Sequence, residues 1–151
     1  MDPLIETWQI HNRINLYLVE AIDETSLNDQ SASKGRTVGQ QFAHIHSVRM
    51  MWLKVAAPAL LIGLPKIEKD NISKVILKDA LELSEKAISQ LFEMAIPSGK
   101  IKGFKPHATA FLGYLISHES HHRGQIILAL KQSGHMVDQK TQYGLWEWGA
   151  R

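Results

Sequence analysis

A histidine-rich segment, SHESHHRGQI at positions 117–126, holds the side chains best suited to chemistry in this sequence. His118 and His122 are four residues apart, so on an α-helix they lie on one face, one turn apart. That spacing lets both ring nitrogens bind one metal ion at about 2.0–2.1 Å. The same letters match H-E-x-x-H, the zinc signature of helical proteases, in which the glutamate is the general base. The segment therefore allows three interpretations: a peptidase, another kind of metal site, or a polar patch on a helix.

The surrounding sequence does not favour a zincin-like peptidase, which stays as an alternative. Such an enzyme needs a third ligand downstream, and no histidine follows at metzincin spacing. Glu147 is the only later glutamate, and it lies in a tryptophan-rich tail without the pattern of a ligand helix. No upstream strand pattern is present to hold an extended peptide. Another kind of metal site is the better interpretation.

Composition limits the classes of protein that need to be considered. The chain has 151 residues, a net charge of +2, 44% hydrophobic residues and no cysteine. These values predict one globular domain over residues 1–151, no nucleic-acid partner, and neither disulfides nor thiolate ligands. The amino-terminal residues lack a signal-peptide pattern, and no apolar run reaches about 18 residues. We therefore expect a cytoplasmic protein with no membrane partner.

Helical periodicity and helix-end signals predict an all-α protein with four long helices. Asp2 before Pro3 is a good helix start, Thr37 with Gln40 resembles a capping box, and Gly134 stands where a C-terminal cap belongs. The predicted helices cover about residues 3–23, 38–57, 72–96 and 107–133. Because each has one apolar stripe, the sequence predicts a four-helix bundle.

The second helix offers two candidates for a third metal ligand, His44 and His46. His44 shares a helix face with apolar residues, namely Val48, Met51 and Val55, whereas His46 lies on the opposite side near Arg49. We therefore predict that His44 points inward and His46 outward. The predicted metal site is His44, His118 and His122, with water in the open positions. The remaining histidines, His11, His107 and His135, are predicted to lie on the surface or in loops.

Three residues beside the pair on the fourth helix are predicted to line the pocket or to support the ligands. His121 is assigned this role because three histidines of one helix rarely converge on one ion. Gln125 lies about one turn beyond His122 and could hydrogen-bond a ligand or substrate, or make a polar contact with another helix. Arg123 could reach an anionic substrate, although an ion pair with Glu119 is the favoured role. Gly124 is predicted to allow close helix packing.

Two segments resemble the DinB/YfiT-like superfamily, a group of damage-inducible and metal-dependent proteins. They are TVGQQFAHIHSV, from position 37, and FLGYLISHESHHRGQIILALKQSGH, from position 111, which contains H-x-x-x-H-R-G-Q. The resemblance implies an up-down-down-up four-helix bundle, often a homodimer, with a mononuclear three-histidine site. By position, the ligands fall on His44, His118 and His122.

The resemblance also implies cofactors and a type of reaction. The ion would be nickel or zinc, with manganese or iron also possible, and some relatives use a low-molecular-weight thiol. The leading hypothesis is a metal-dependent enzyme acting on small molecules by thiol transfer or hydrolysis. The alternative is a non-catalytic metal-binding or interaction module. Open coordination positions would favour the enzyme, whereas a centre closed by Trp52, Trp146 and Trp148 would favour the module; the two tail tryptophans are expected to cover the bundle.

Overall fold

All regular secondary structure in the chain is helical. In the computed structural model, which describes residues 1–151, the long helices are α1 (Pro3–Ala21), α2 (Val38–Ala56), α3 (Lys74–Ala95) and α4 (Ala108–Gln132). A short helix, α5 (Gln139–Gly144), follows them, and 3-10 turns lie in the connections. No β-strand forms. The all-α prediction is confirmed, and each long helix ends within two residues of its predicted bounds. No helix is long and apolar enough to span a membrane.

Local signals in the sequence set the helix ends. The Asp2 carboxylate accepts the backbone N–H of Leu4 at 2.8 Å, which caps α1. Thr37 and Gln40 form both hydrogen bonds of the predicted capping box at the start of α2. Gly134 has a φ of +78° directly after α4, a conformation that glycine adopts without strain. These ends depend only on neighbouring residues, which is why the sequence predicts them.

The four long helices form an up-down-down-up bundle. Helices α1 and α4 are parallel to each other, as are α2 and α3, and each of α1 and α4 packs antiparallel to one helix of the other pair. The contacts that fix these directions are His11–Glu119 and Asn15–Arg123 for α1 with α4, Trp8–Glu85 and Glu20–Lys78 for α1 with α3, and Gln41–His122 and Arg49–Glu119 for α2 with α4. The topology implied by the family resemblance is confirmed.

Polar side chains separate the core into two apolar halves. One half surrounds Trp8 and Phe111, and the other surrounds Phe42 and Ile126. Between them, each long helix contributes buried polar residues to a single layer, namely His11, Asn12, Asn15, His46, Arg49, Ser84, Glu119 and His122. The side chains that can act as acids, bases or metal ligands therefore lie at mid-height of the bundle.

The predicted orientation of α2 is wrong in part. His46 is fully buried and its Nε2 lies 2.6 Å from the carbonyl oxygen of Pro65, whereas it was expected to point outward. Met51 and Val55, expected inside, are 53% and 46% exposed. The buried face instead contains Phe42, Ile45 and Leu53, with Arg49 among them. Because Arg49 is charged, the sequence pattern did not indicate that this face of α2 is buried.

The tail after α4 covers the bundle less completely than expected. Leu145 and Trp148 are partly buried, but Trp146 is 81% exposed. Arg151 holds the tail against α1, because its guanidinium lies 3.7 Å from the ring centre of Tyr17 and donates to the carbonyl oxygen of Gly144. The tail is therefore anchored at its end and leaves two large aromatic side chains, Tyr143 and Trp146, mostly in solvent.

Candidate metal centre

Three histidines from two antiparallel helices meet at mid-height of the bundle. His118 and His122 lie on α4 and His44 lies on the facing side of α2. The ring of His122 is 4.6 Å from the rings of both His44 and His118, and the latter two rings are 5.4 Å apart. One ring nitrogen of each lies within 4.8 Å of the others. The structure therefore brings together the three residues selected from the sequence.

Two glutamines fix the orientation and tautomer of His122. Its Nδ1 lies 2.7 Å from Oε1 of Gln41 and 3.1 Å from Oε1 of Gln125. Because amide oxygens only accept hydrogen bonds, Nδ1 carries the proton and donates it. The lone pair of Nε2 then faces His118. Metal-binding histidines usually donate their second ring N–H to such a fixed acceptor.

The donor set fits a divalent metal ion. Nε2 of His122 and Nε2 of His118 are 3.1 Å apart. Two donors bound tetrahedrally at ~2.1 Å would be separated by about 3.4 Å, close to the observed spacing. Neutral imidazoles suit zinc, nickel or iron. The three histidines include no carboxylate partner, so an ion held by them would keep at least one position for another ligand.

Burial keeps these histidines uncharged. It is the main cause that lowers the pKa of His122 to about 4, and the neighbouring His118 and His44 lower it further. Burial also lowers the pKa of His44 and of His118, and the guanidinium of Arg36 adds to both effects. The imidazoles are therefore neutral at neutral pH, which is the form that binds metals.

Two clefts open beside the three histidines. One, of about 520 Å³, is lined by His44 together with Arg36, Ser47 and Lys69. The other, of about 230 Å³, is lined by Gln41 and Gln125 and again by Arg36. No acidic side chain lines either cleft, and Arg36 has no carboxylate within 4.0 Å. The surroundings of the centre are thus positively charged and accessible.

Glu119, the glutamate of the H-E-x-x-H match, points away from the three histidines into the core. Its two oxygens accept hydrogen bonds from Arg49 at 2.7 and 2.8 Å, and Oε2 also accepts from His11 and Asn15 at 2.8 Å each. Burial raises the pKa of this carboxyl, but the charge and hydrogen bonds of Arg49 outweigh it and hold the pKa well below its usual range. A carboxylate held in this way has no route to a bound water, which removes the base that a zincin mechanism needs.

His11 is the second histidine whose predicted place is wrong. It was expected on the surface, but it is fully buried and its ring stacks on Trp8 at 5.6 Å. Burial lowers its pKa, and the hydrogen bond from Nε2 to Glu119 opposes that effect. His107 and His135 are exposed as predicted; His107 caps α4 and His135 lies 2.7 Å from the carboxylate of Asp29.

The predicted neighbours of the ligands occupy three different environments. His121 is exposed, with its ring 5.0 Å from that of His122, and Gln125 lies against Nδ1 of His122. Arg123 is on the other side of α4, where it donates to Asn15 at 2.6 Å and to Ser120 at 3.0 Å. The ion pair predicted between Arg123 and Glu119 is not formed, because Arg49 takes that place.

Gln41 and Arg36 are site residues that the sequence analysis did not identify. Gln41 precedes His44 by three residues on α2, so helical spacing alone could have placed both on one face. Arg36 lies in the connection before α2, and no local pattern relates it to the histidines on α4. Its position depends on how the connection folds over the bundle.

Replacing Gln41 with leucine is expected to weaken metal binding about 10- to 100-fold, because His122 loses the nearer of the two acceptors that fix its ring. The matched control is Gln41→Glu, which keeps an acceptor oxygen and should bind the metal at least as tightly. Competition with a chelating dye for zinc measures both affinities. Equal affinities of the leucine variant and the native protein would contradict the role of Gln41.

Fold and site together define a helical bundle with a three-histidine centre of the kind that binds metals. The family model described as DinB family matches residues 1–149, so the chain belongs to the DinB family. No curated protein and no solved structure matches the chain.

Proposed function

We propose that this protein is a metal-dependent enzyme that acts on small anionic molecules by thiol transfer or hydrolysis. His44, His118 and His122 would hold one divalent ion. Nickel and zinc are the first candidates, and manganese and iron are the alternatives. The observation that supports this proposal best is the convergence of three neutral imidazoles beside two open, basic clefts.

The ion and the protein would have separate tasks. A bound divalent ion lowers the pKa of a coordinated water or thiol and polarises an electrophile. The chain orients His122 through Gln41 and Gln125. The packing of α2 against α4 keeps His44 beside His118 and His122. Because the sequence contains no cysteine, a thiol would have to arrive as a low-molecular-weight cosubstrate.

The clefts indicate the class of substrate. The larger one, of about 520 Å³, is within the usual range for small-molecule sites. Arg36 and Lys69 line it, no acidic side chain does, and neither cation has a carboxylate oxygen within 4.0 Å. A carboxylate or phosphate group of the substrate would therefore find an unpaired positive charge beside the centre. An anionic substrate therefore suits the site better than a neutral or cationic one.

The first test is the metal content of the untagged protein, measured by elemental mass spectrometry after incubation with nickel, zinc or manganese and gel filtration. We expect about one equivalent of metal per chain in the native protein and a loss of that metal in His118→Ala, because one of three ligands is removed. His121→Ala is the matched control, since this exposed neighbour lies outside the three-histidine group and its variant should stay loaded. Equal loading of native protein and His118→Ala would contradict the proposed centre.

The second test separates an enzyme from a metal-binding module. Metal-loaded protein is assayed with two anionic substrates, for transfer of a small thiol to 4-chloro-3,5-dinitrobenzoate with release of chloride, and for hydrolysis of 4-nitrophenyl phosphate. The proposal expects at least one reaction to depend on the metal and to disappear in His118→Ala. Full metal occupancy without a metal-dependent rate, in these assays and in assays with carboxylic esters, would contradict the proposal of an enzyme. The protein would then be a non-catalytic metal-binding module.

A further inference from the structure

A second cavity lies on the side of α4 that faces away from the metal centre. It has a volume of about 460 Å³ and lies between α4 on one side and α5 with the tail that follows it on the other. Its walls are mainly apolar, from Ile116, Ile127, Leu145, Trp146 and Trp148. A cavity of this size, mostly apolar with few polar groups, is typical of small-molecule sites. We call it the tail groove.

The tail groove contains one positive charge without an acidic partner. Arg123 lines it and donates only to neutral oxygens, those of Asn15 and Ser120. No carboxylate lies within 4.0 Å of its guanidinium, and the nearest buried carboxylate, Glu119, is bonded to Arg49 and His11. The charge of Arg123 is therefore not paired within the chain. A negative group in the groove would balance it.

Gly124 gives the groove part of its depth. Glycine in the middle of a helix destabilises it relative to alanine, so a packing reason is expected. Close packing was the predicted reason and is wrong, because a Cβ atom at Gly124 would meet nothing within 4 Å. The space in front of Gly124 belongs to the groove. The glycine therefore leaves room for a molecule other than this chain.

We propose that the tail groove binds a small amphipathic monocarboxylate. The carboxylate pairs with Arg123 beside Ser120, and the apolar part of the ligand lies over Gly124 between Ile127 and the tail tryptophans. Trp146, which is 81% exposed at the rim, would be covered by such a ligand. The groove and the three histidines lie on opposite faces of α4, so this site is independent of the proposed function.

Isothermal titration calorimetry with octanoate and its neutral analogue octanamide tests the proposal on the full chain. We expect octanoate to bind at least about tenfold more tightly, because only its carboxylate forms a charge-assisted bond with Arg123. Gly124→Met places a side chain in the groove from a position where a Cβ atom meets nothing within 4 Å, and should weaken octanoate binding at least about tenfold. The control is Gly113→Met, since Gly113 is an exposed glycine of α4 that also has free space and does not line the groove.

Two more variants separate this site from the metal centre and test the charge. His118→Ala should bind octanoate as the native protein does, whatever its metal content. Arg123→Gln should bind octanoate and octanamide equally. If this variant does not fold, the comparison of the two ligands on the native protein and the comparison of Gly124→Met with Gly113→Met still test the proposal. Equal binding of both ligands to the native protein, or no binding of octanoate, would overturn the proposal. A change of oligomeric state in Gly124→Met alone, seen by sedimentation, would also overturn it and make the groove a contact between copies.

Discussion

Replacing Glu119 with glutamine is expected to lower the free energy of unfolding by about 3–5 kcal/mol, because the substitution leaves the charge of Arg49 buried without its partner. Both side chains are fully buried, and Arg49 donates to Glu119 through two nitrogens. For a chain of this length, the loss corresponds to a melting temperature lower by roughly 6–20 °C. Urea unfolding followed by far-UV circular dichroism measures it.

The matched control is Glu82→Gln, an identical change at an exposed position of α3, which should alter stability little. Arg49→Met should be about as damaging as Glu119→Gln, since it leaves the carboxylate without its main partner. Changing both residues to apolar ones should cost less than the sum of the two single changes. Additive losses in the double variant would show that the two residues do not act as a pair.

Binding of a divalent ion is expected to stabilise the folded protein. Nickel or zinc at about 100 times its dissociation constant should raise the free energy of unfolding by about 2.7 kcal/mol, because the three ligands meet only when α2 and α4 are packed together. The same addition should stabilise His122→Ala much less. Thermal unfolding with and without the metal, in a buffer that does not bind it, measures the difference.

His121→Ala serves as the control for this experiment as well, because it removes one histidine from α4 and keeps the group of three. It should be stabilised by the metal as the native protein is. Equal stabilisation of His122→Ala and His121→Ala would mean that the ion binds elsewhere, and would contradict the proposed centre independently of any activity.

Much of the fold can be predicted from the sequence because its signals are local. Asp2 with Pro3, Thr37 with Gln40, and Gly134 each act on backbone groups within a few residues, so they set helix ends without knowledge of the rest of the chain. The pairing of His118 with His122 is also local, since a single helix places them on one face. The choice of His44 agrees with the structure, but part of its reasoning does not, because Met51 and Val55 on the same stripe are exposed.

The tertiary structure alone decided what surrounds these elements. Glu119 takes its partners from α1 and α2, and the desolvation of these groups depends on the packing of all four helices. A sequence pattern treats Arg49, His46 and His11 as surface residues because an isolated charge or imidazole is costly to bury. The structure buries them because each finds a hydrogen-bond partner on another element. The sequence by itself thus determined the helices and one pair of candidate metal ligands, and only long-range packing determined the charged core, the clefts at Arg36 and the tail groove.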